Sequence, residues 1–169
     1  MSDDAFSPSE PIGTRNEVFD RYLDYFRTQV LDQLERLPED ELRRSRLASG
    51  WTPLELVKHL TFVELRWLQW GFEGQEVSDP WGDRRDERWF VAETESREDV
   101  IAALAAQARR SRAIIQSNDL ATLAQPGPRF EDGYAPTLER ILLHLLQEYS
   151  HHLGHLDIVV EIALADRHT

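Results

Sequence analysis

The segment from Thr137 to Ala165, TLERILLHLLQEYSHHLGHLDIVVEIALA, constrains what this chain can fold into more than any other. It reads as one helix of about 29 residues, roughly 43 Å long at 1.5 Å per residue. Wound at 100° per residue, it presents an apolar stripe at Leu138, Ile141, Leu145, Val159 and Ala163. In its middle the stripe passes through Glu148, His152 and His155, where core leucines are expected. Burying a carboxylate and imidazoles without partners costs several kcal/mol, about 2–7 for each neutral polar group and more for a charge. A compensating partner is therefore required, and a metal ion is the candidate.

The remaining chain supplies helices for such a segment to pack against. Pro8, Pro11 and Gly13 mark residues 1–13 as a loose arm, which leaves 14–165 as one domain. Val18, Tyr22, Phe26, Val30, Leu34 and Leu37 recur mostly in steps of four, the pattern of an amphipathic helix over 14–37. Pro38 ends it and can open a short helix over 39–45. Thr52-Pro53-Leu54-Glu55 is a capping box with proline at the first helical position, which predicts a helix to Phe72 with Gly74 beyond its end. Its expected stripe is Leu56, Leu60, Val63, Trp67 and Trp70, with His59 at the edge. Ser96 and Asp99 cap another helix to Ser117, its buried side expected at Val100, Ile101, Leu104, Ala108 and Ile115. Two long connections, 75–94 and 118–136, separate these helices, and no strand alternation is present. The expected architecture is all-α, a four-helix bundle with a short extra helix and long crossover connections.

Several function classes fall away on bulk properties. The formal charge of −12 argues against a nucleic-acid partner, which requires a basic face. No run approaches the roughly 18 apolar residues of a membrane span, and the acidic, polar start MSDDAFSPSEP is not a secretory signal, so a cytoplasmic location is expected. The chain has no cysteine, which excludes disulfides, thiolate ligands and a cysteine nucleophile of its own.

Glu148 and His152 stand four apart on one helix, so their side chains project side by side within reach of one ion. A third ligand must come from another helix, and His59 is the only histidine outside the last helix and the terminal His168. His59, Glu148 and His152 make a two-histidine, one-carboxylate set that keeps positions open for water and substrate; it suits zinc and accommodates nickel or iron. Other partners for Glu148 are open at this point. Arg109, Arg110 or Arg112 would give a buried ion pair, and His144 and His151 lie within about 60° of Glu148 around the helix. His144 suits a ligand or a donor to one, His151 a rim position, and His155 a pocket position.

Two stretches resemble a known superfamily. Trp51-Thr52-Pro53-Leu54-Glu55-Leu56-Val57-Lys58-His59-Leu60, followed by Glu64-Leu65-Arg66-Trp67, is similar to the second-helix motif of the DinB-like superfamily. Glu148-Tyr149-Ser150-His151-His152-Leu153-Gly154-His155-Leu156-Asp157, with Glu161 after it, resembles the last-helix motif of its actinobacterial branch related to mycothiol-dependent maleylpyruvate isomerase. The resemblance runs from the first helix to Glu161. Many superfamily members carry histidine where this chain has Glu148; the isomerase-like branch carries glutamate.

That resemblance implies a DinB-like four-helix bundle, often a homodimer, with a metal bound by His59, Glu148 and His152. It further implies a metal-dependent transferase or isomerase using mycothiol, bacillithiol or another low-molecular-weight thiol against a small electrophilic substrate. A metal-dependent hydrolase using bound water, or a non-catalytic metal-binding or stress-response protein, is the alternative. Arg84, Arg85 and Arg88 are candidates to hold an anionic substrate or cofactor, or are simply solvated; Trp81 and Trp89 could wall the pocket or anchor the loop. A second apolar flank at Leu143, Leu146, Leu153 and Val160 calls for a cover, either other segments of the chain or a second copy.

Overall fold

The structure, a computed structural model, describes residues 11, 13–130 and 133–166. The expected arm over 1–13 lies outside the described residues apart from Pro11 and Gly13, as does His168. Helices α1 (Arg15–Arg36), α3 (Pro53–Glu64), α4 (Arg97–Ser117) and α5 (Leu138–Ala165) form the bundle, with a one-turn α2 (Glu39–Leu42). Thr14, Thr52 and Ser96 each close a capping box onto Glu17, Glu55 and Asp99, and Thr137 caps α5. Each hydroxyl accepts from a backbone N–H that the first helical turn would otherwise leave unbonded, which is why these starts are sharp.

Around the bundle, α1 lies between α4 and α5, and α3 also lies between α4 and α5. The consecutive helices α4 and α5 are thus diagonal to one another, and the connection over 118–137 crosses between them. That connection is pinned: Leu123 and Thr137 form an antiparallel bridge, and Gln125 N donates to Phe72 O at 2.8 Å. Gly74, at φ +63°, ends the preceding helix; a Cβ on Gly127 would come within 2.7 Å of Gly74 Cα, so the two segments meet backbone to backbone. The core is filled by Leu23, Val30, Leu34, Leu54, Leu60, Leu104, Ile115, Leu145 and Leu156, among others, all nearly inaccessible. No helix among the described residues is long and apolar enough to cross a membrane.

Four expectations need correction. First, α3 does not continue as an α-helix to Phe72: residues Leu65–Phe72 are π-helical, with Glu73 N bonding to Leu68 O at 2.9 Å. The wider i→i+5 register rotates everything downstream, so Arg66 and Leu68 are buried while Trp67 and Trp70 are only half-buried. Second, the buried side of α4 passes through Gln107 and Ser111, leaving Ile101 and Ala108 half-buried. Third, the 75–94 connection contains a hairpin of two-residue strands, β1 (Arg84–Arg85) and β2 (Arg88–Trp89). Its turn residues Asp86 and Glu87 both have positive φ, +50° and +64°, the geometry that a tight two-residue hairpin requires. The short helix α2 also stops at Leu42, three residues before the expected Ser45.

Candidate metal centre

Helix α5 delivers Glu148 and His152 one turn apart, and α3 delivers His59 from the facing side. One ligand atom from each of the three lies within 4.8 Å of the others. Donor atoms bound tetrahedrally to one ion at 2.0–2.2 Å stand about 3.3 Å apart, so a small contraction would close the set. Glu148 Oε2 lies 3.3 Å from His152 Nε2, and Glu148 Oε1 lies 3.1 Å from His144 Nε2. His59 and His152 are buried and Glu148 is half-buried.

Each ligand candidate is held from behind or left with unspent capacity. His59 Nδ1 donates to Asp83 Oδ2 at 2.9 Å, which leaves Nε2 as its free lone pair. Asp83 is itself fully buried and clamped by Arg66, which donates from Nη1 to Oδ1 at 2.7 Å and from Nη2 to Oδ2 at 3.2 Å. Arg66 reaches Asp83 because the π-helical turn carries its side chain inward. His152 Nδ1 is buried with no hydrogen-bond partner. An imidazole in the core with an orphaned nitrogen, beside a carboxylate and a second imidazole, is a donor set that suits a divalent ion. Burial lowers the pKa of His59, opposed by its bond to Asp83, and neighbouring His152 lowers it further. The bond to His152 lowers the pKa of Glu148, against burial and with the nearby histidines. A neutral imidazole and an ionised carboxylate are the forms that bind a metal.

The hairpin supplies the wall. Trp89 stacks on the His59 ring at 4.1 Å between centroids and 20° between planes, and meets His152 edge-on at 5.2 Å. Trp81 instead lies beside Arg66 and Arg84 and against Trp70, and anchors the loop. Beyond Trp89 opens a cavity of about 430 Å³ lined by Trp51, Glu55, Arg85, Arg88 and Phe90 among others. Arg85 and Arg88 therefore face a cavity next to the centre, whereas Arg84 does not.

The arginines of α4 do not pair with Glu148: Arg110 pairs with Glu73, and Arg112 with Asp20 and Asp24. Arg109 is exposed. His151 is exposed at the rim, and His155 is half-buried between His151 and Trp51. Asp83 and Arg66 carry no mark in the sequence as parts of this centre. Neither stands at a fixed spacing from His59, and a carboxylate in a long polar loop carries no signal of burial.

The family model for mycothiol-S-transferase matches residues 18–163, nearly the whole bundle. The chain belongs to the mycothiol-S-transferase family. Among solved structures it is similar to YfiT from Bacillus subtilis, described as "a probable metal-dependent hydrolase with an unusual four-helix bundle topology". That likeness has a TM-score of 0.61 at 16% identity and covers 92% of each chain, so it concerns the fold. No curated protein matches. Membership in the mycothiol-S-transferase family implies a thiol-dependent S-transferase.

Proposed function

We propose that His59, Glu148 and His152 bind one divalent ion, and that this mycothiol-S-transferase family member uses it to join a mycothiol-type thiol to a small electrophile. The observation that carries the reading is the convergence of these three side chains, one with an orphaned buried nitrogen, in a chain of this family. Zinc suits the ligand set best, with nickel and iron accommodated by the same donors. A divalent ion there supplies positive charge that lowers the pKa of a bound thiol toward neutrality.

The chain's own residues do the rest. Asp83 fixes the His59 ring and its tautomer, and Arg66 holds Asp83. Trp89 shields the two imidazoles from water on the hairpin side. His144 engages the second oxygen of Glu148 and so sets which oxygen is left toward His152. The Glu148 position supports kinship with the actinobacterial branch related to maleylpyruvate isomerase, where isomerisation would be the same thiol addition followed by its reversal. Leu143 and Ile158, exposed on the outer face of α5, support a homodimer through that helix. A cytoplasmic location follows from the chemistry, since small thiols are kept reduced there.

Elemental analysis followed by calorimetric titration with mycothiol tests the reading. About one equivalent of metal, with thiol binding that disappears on chelation, is expected. Less than about a tenth of an equivalent, with His59→Ala leaving stability unchanged, would sink the metal site. Bound metal without affinity for mycothiol or bacillithiol at millimolar concentration would move the assignment to water-based hydrolysis, the activity named for YfiT.

A further inference from the structure

On the far side of the centre from the hairpin lies a second cavity, about 250 Å³, lined by Trp67, Phe130, Tyr134, Ile141, His144 and Arg140. Its character differs from that of the cavity beside Trp89. Three aromatic rings and Ile141 form its walls. Its inner end is His144, whose Nε2 lies 3.1 Å from Glu148 Oε1 and whose ring meets Trp67 at 4.4 Å between centroids. A molecule seated in it would therefore end beside a metal-ligand candidate.

Charge sets its preference. The chain has 31 acidic against 19 basic residues, yet Arg140 at this cavity and Arg129 behind its wall have no carboxylate partner among the described residues. Arg140, on the exposed rim, donates only to the Tyr134 hydroxyl and lies 5.5 Å from that ring's centroid. Arg129 lies behind the wall, 4.2 Å from the Trp67 ring centroid, and its Nε is buried with no partner. Guanidinium groups on aromatic faces near an apolar cavity favour a planar anion, which takes paired N–H donors while its ring stacks.

We propose that this cavity is the subsite for the electrophilic co-substrate, and that it selects an aromatic carboxylate, with Arg140 binding the carboxylate at the rim. This rests on the reading of the centre as a thiol-transfer site and adds the substrate class. The polar cavity beyond Trp89 is then left for the thiol.

The test uses metal-stripped protein, so that no carboxylate can bind through the ion, and it reads tryptophan fluorescence rather than turnover. The probes are the unreactive 4-methylbenzoate and its neutral counterpart 4-methylbenzamide. Wild-type protein is expected to bind the carboxylate at least tenfold more tightly than the amide. Arg140→Gln, on the exposed rim, should bring the two within twofold, Arg140→Lys should retain part of the preference, and Arg88→Gln in the other cavity should keep all of it. Equal binding of the two probes by wild-type protein, a preference that survives Arg140→Gln, or one lost in Arg88→Gln instead would overturn the assignment. Because neither metal nor thiol is present, failure here leaves the metal and thiol titrations standing, and their failure leaves this result standing.

Discussion

Two polar clusters lie next to one another in this bundle, both drawing on α3 and α5, and they are built to opposite ends. In one, Glu64 of α3 is fully buried and accepts four hydrogen bonds. Arg27 of α1 donates from Nε at 2.9 Å and Nη2 at 2.8 Å, and Tyr149 of α5 and Ser111 of α4 each donate at 2.5 Å. Two carboxylate oxygens have about four lone-pair sites, so its capacity is exhausted. In the other, His59 stands five residues before Glu64 and Glu148 immediately precedes Tyr149, yet an imidazole nitrogen has no partner and the carboxylate is half-exposed. The closed cluster ties all four long helices together. The open one keeps the unspent capacity that a ligand can use. Burial of charge alone therefore does not distinguish the two clusters; unspent hydrogen-bonding capacity does.

The sharpest way to break this contrast is to open the closed cluster. Arg27→Met leaves Glu64 buried without its counter-charge and should cost about 3–5 kcal/mol in denaturant unfolding. The paired change Arg27→Met with Glu64→Leu should recover most of that loss, because it removes both charges. If Arg27→Met costs under 1 kcal/mol, the cluster is not what holds the helices in place.

The open cluster should behave in the reverse manner. His152→Ala should abolish metal retention in elemental analysis while changing the stability of the metal-free protein by no more than about 1 kcal/mol, since an orphaned polar atom leaves with the ring. For the unaltered chain, metal at a thousand times its dissociation constant should stabilise the fold by about 4 kcal/mol, or roughly 8–16 °C in melting temperature for a chain of this length. A melting temperature indifferent to metal would count against the site.

Behind the open cluster stands Asp83, bonded to His59. Burial pushes its carboxyl upward in pKa, but the bonds from His59 and Arg66 outweigh this and hold it below the usual value. Asp83→Asn should weaken metal binding by about 10–100-fold, measured by competition with a chromophoric chelator, because the amide no longer holds His59 by charge. Unchanged affinity would reduce Asp83 to a partner of Arg66.

The smallest effect is alkaline. Burial raises the Tyr149 phenol well above its ordinary value, and the adjacent Glu64 carboxylate adds to this. A raised folded pKa means that the stabilisation is complete below the unfolded value, about 10, and is lost as pH rises past it. Tyrosinate absorbance at 295 nm should show one phenol that ionises only on unfolding, and Tyr149→Phe should flatten the alkaline limb of the stability profile.

Much of this was legible in the residues. The four long helices follow from local periodicity and from the capping boxes at Thr52 and Ser96, features decided within a few residues of the chain. The pairing of Glu148 with His152 was equally local, as i, i+4 neighbours must face the same way. The meeting of His59 with that pair was inferable only because so few histidines lie elsewhere. The closed cluster had no such signal: Glu64, Arg27 and Ser111 are ordinary polar residues whose spacing in sequence says nothing of a shared core.

What the sequence by itself determined is therefore what short-range physics controls: helix starts, helix faces and two neighbouring ligand candidates on α5. What only the tertiary structure decided is what depends on distant segments meeting. The π-helical turn after Glu64 rotates Arg66 inward and Trp67 toward His144. The tight hairpin lays Trp89 over His59, and Asp83, from a polar loop, ends fully buried behind it. The longest of these contacts, Trp67 with His144, spans about 77 residues, and all of them rest on packing that no local period encodes. The interruption in the α5 stripe signalled that polar groups would enter the core. Only the fold separated the group left open to a ligand from the one closed by its neighbours.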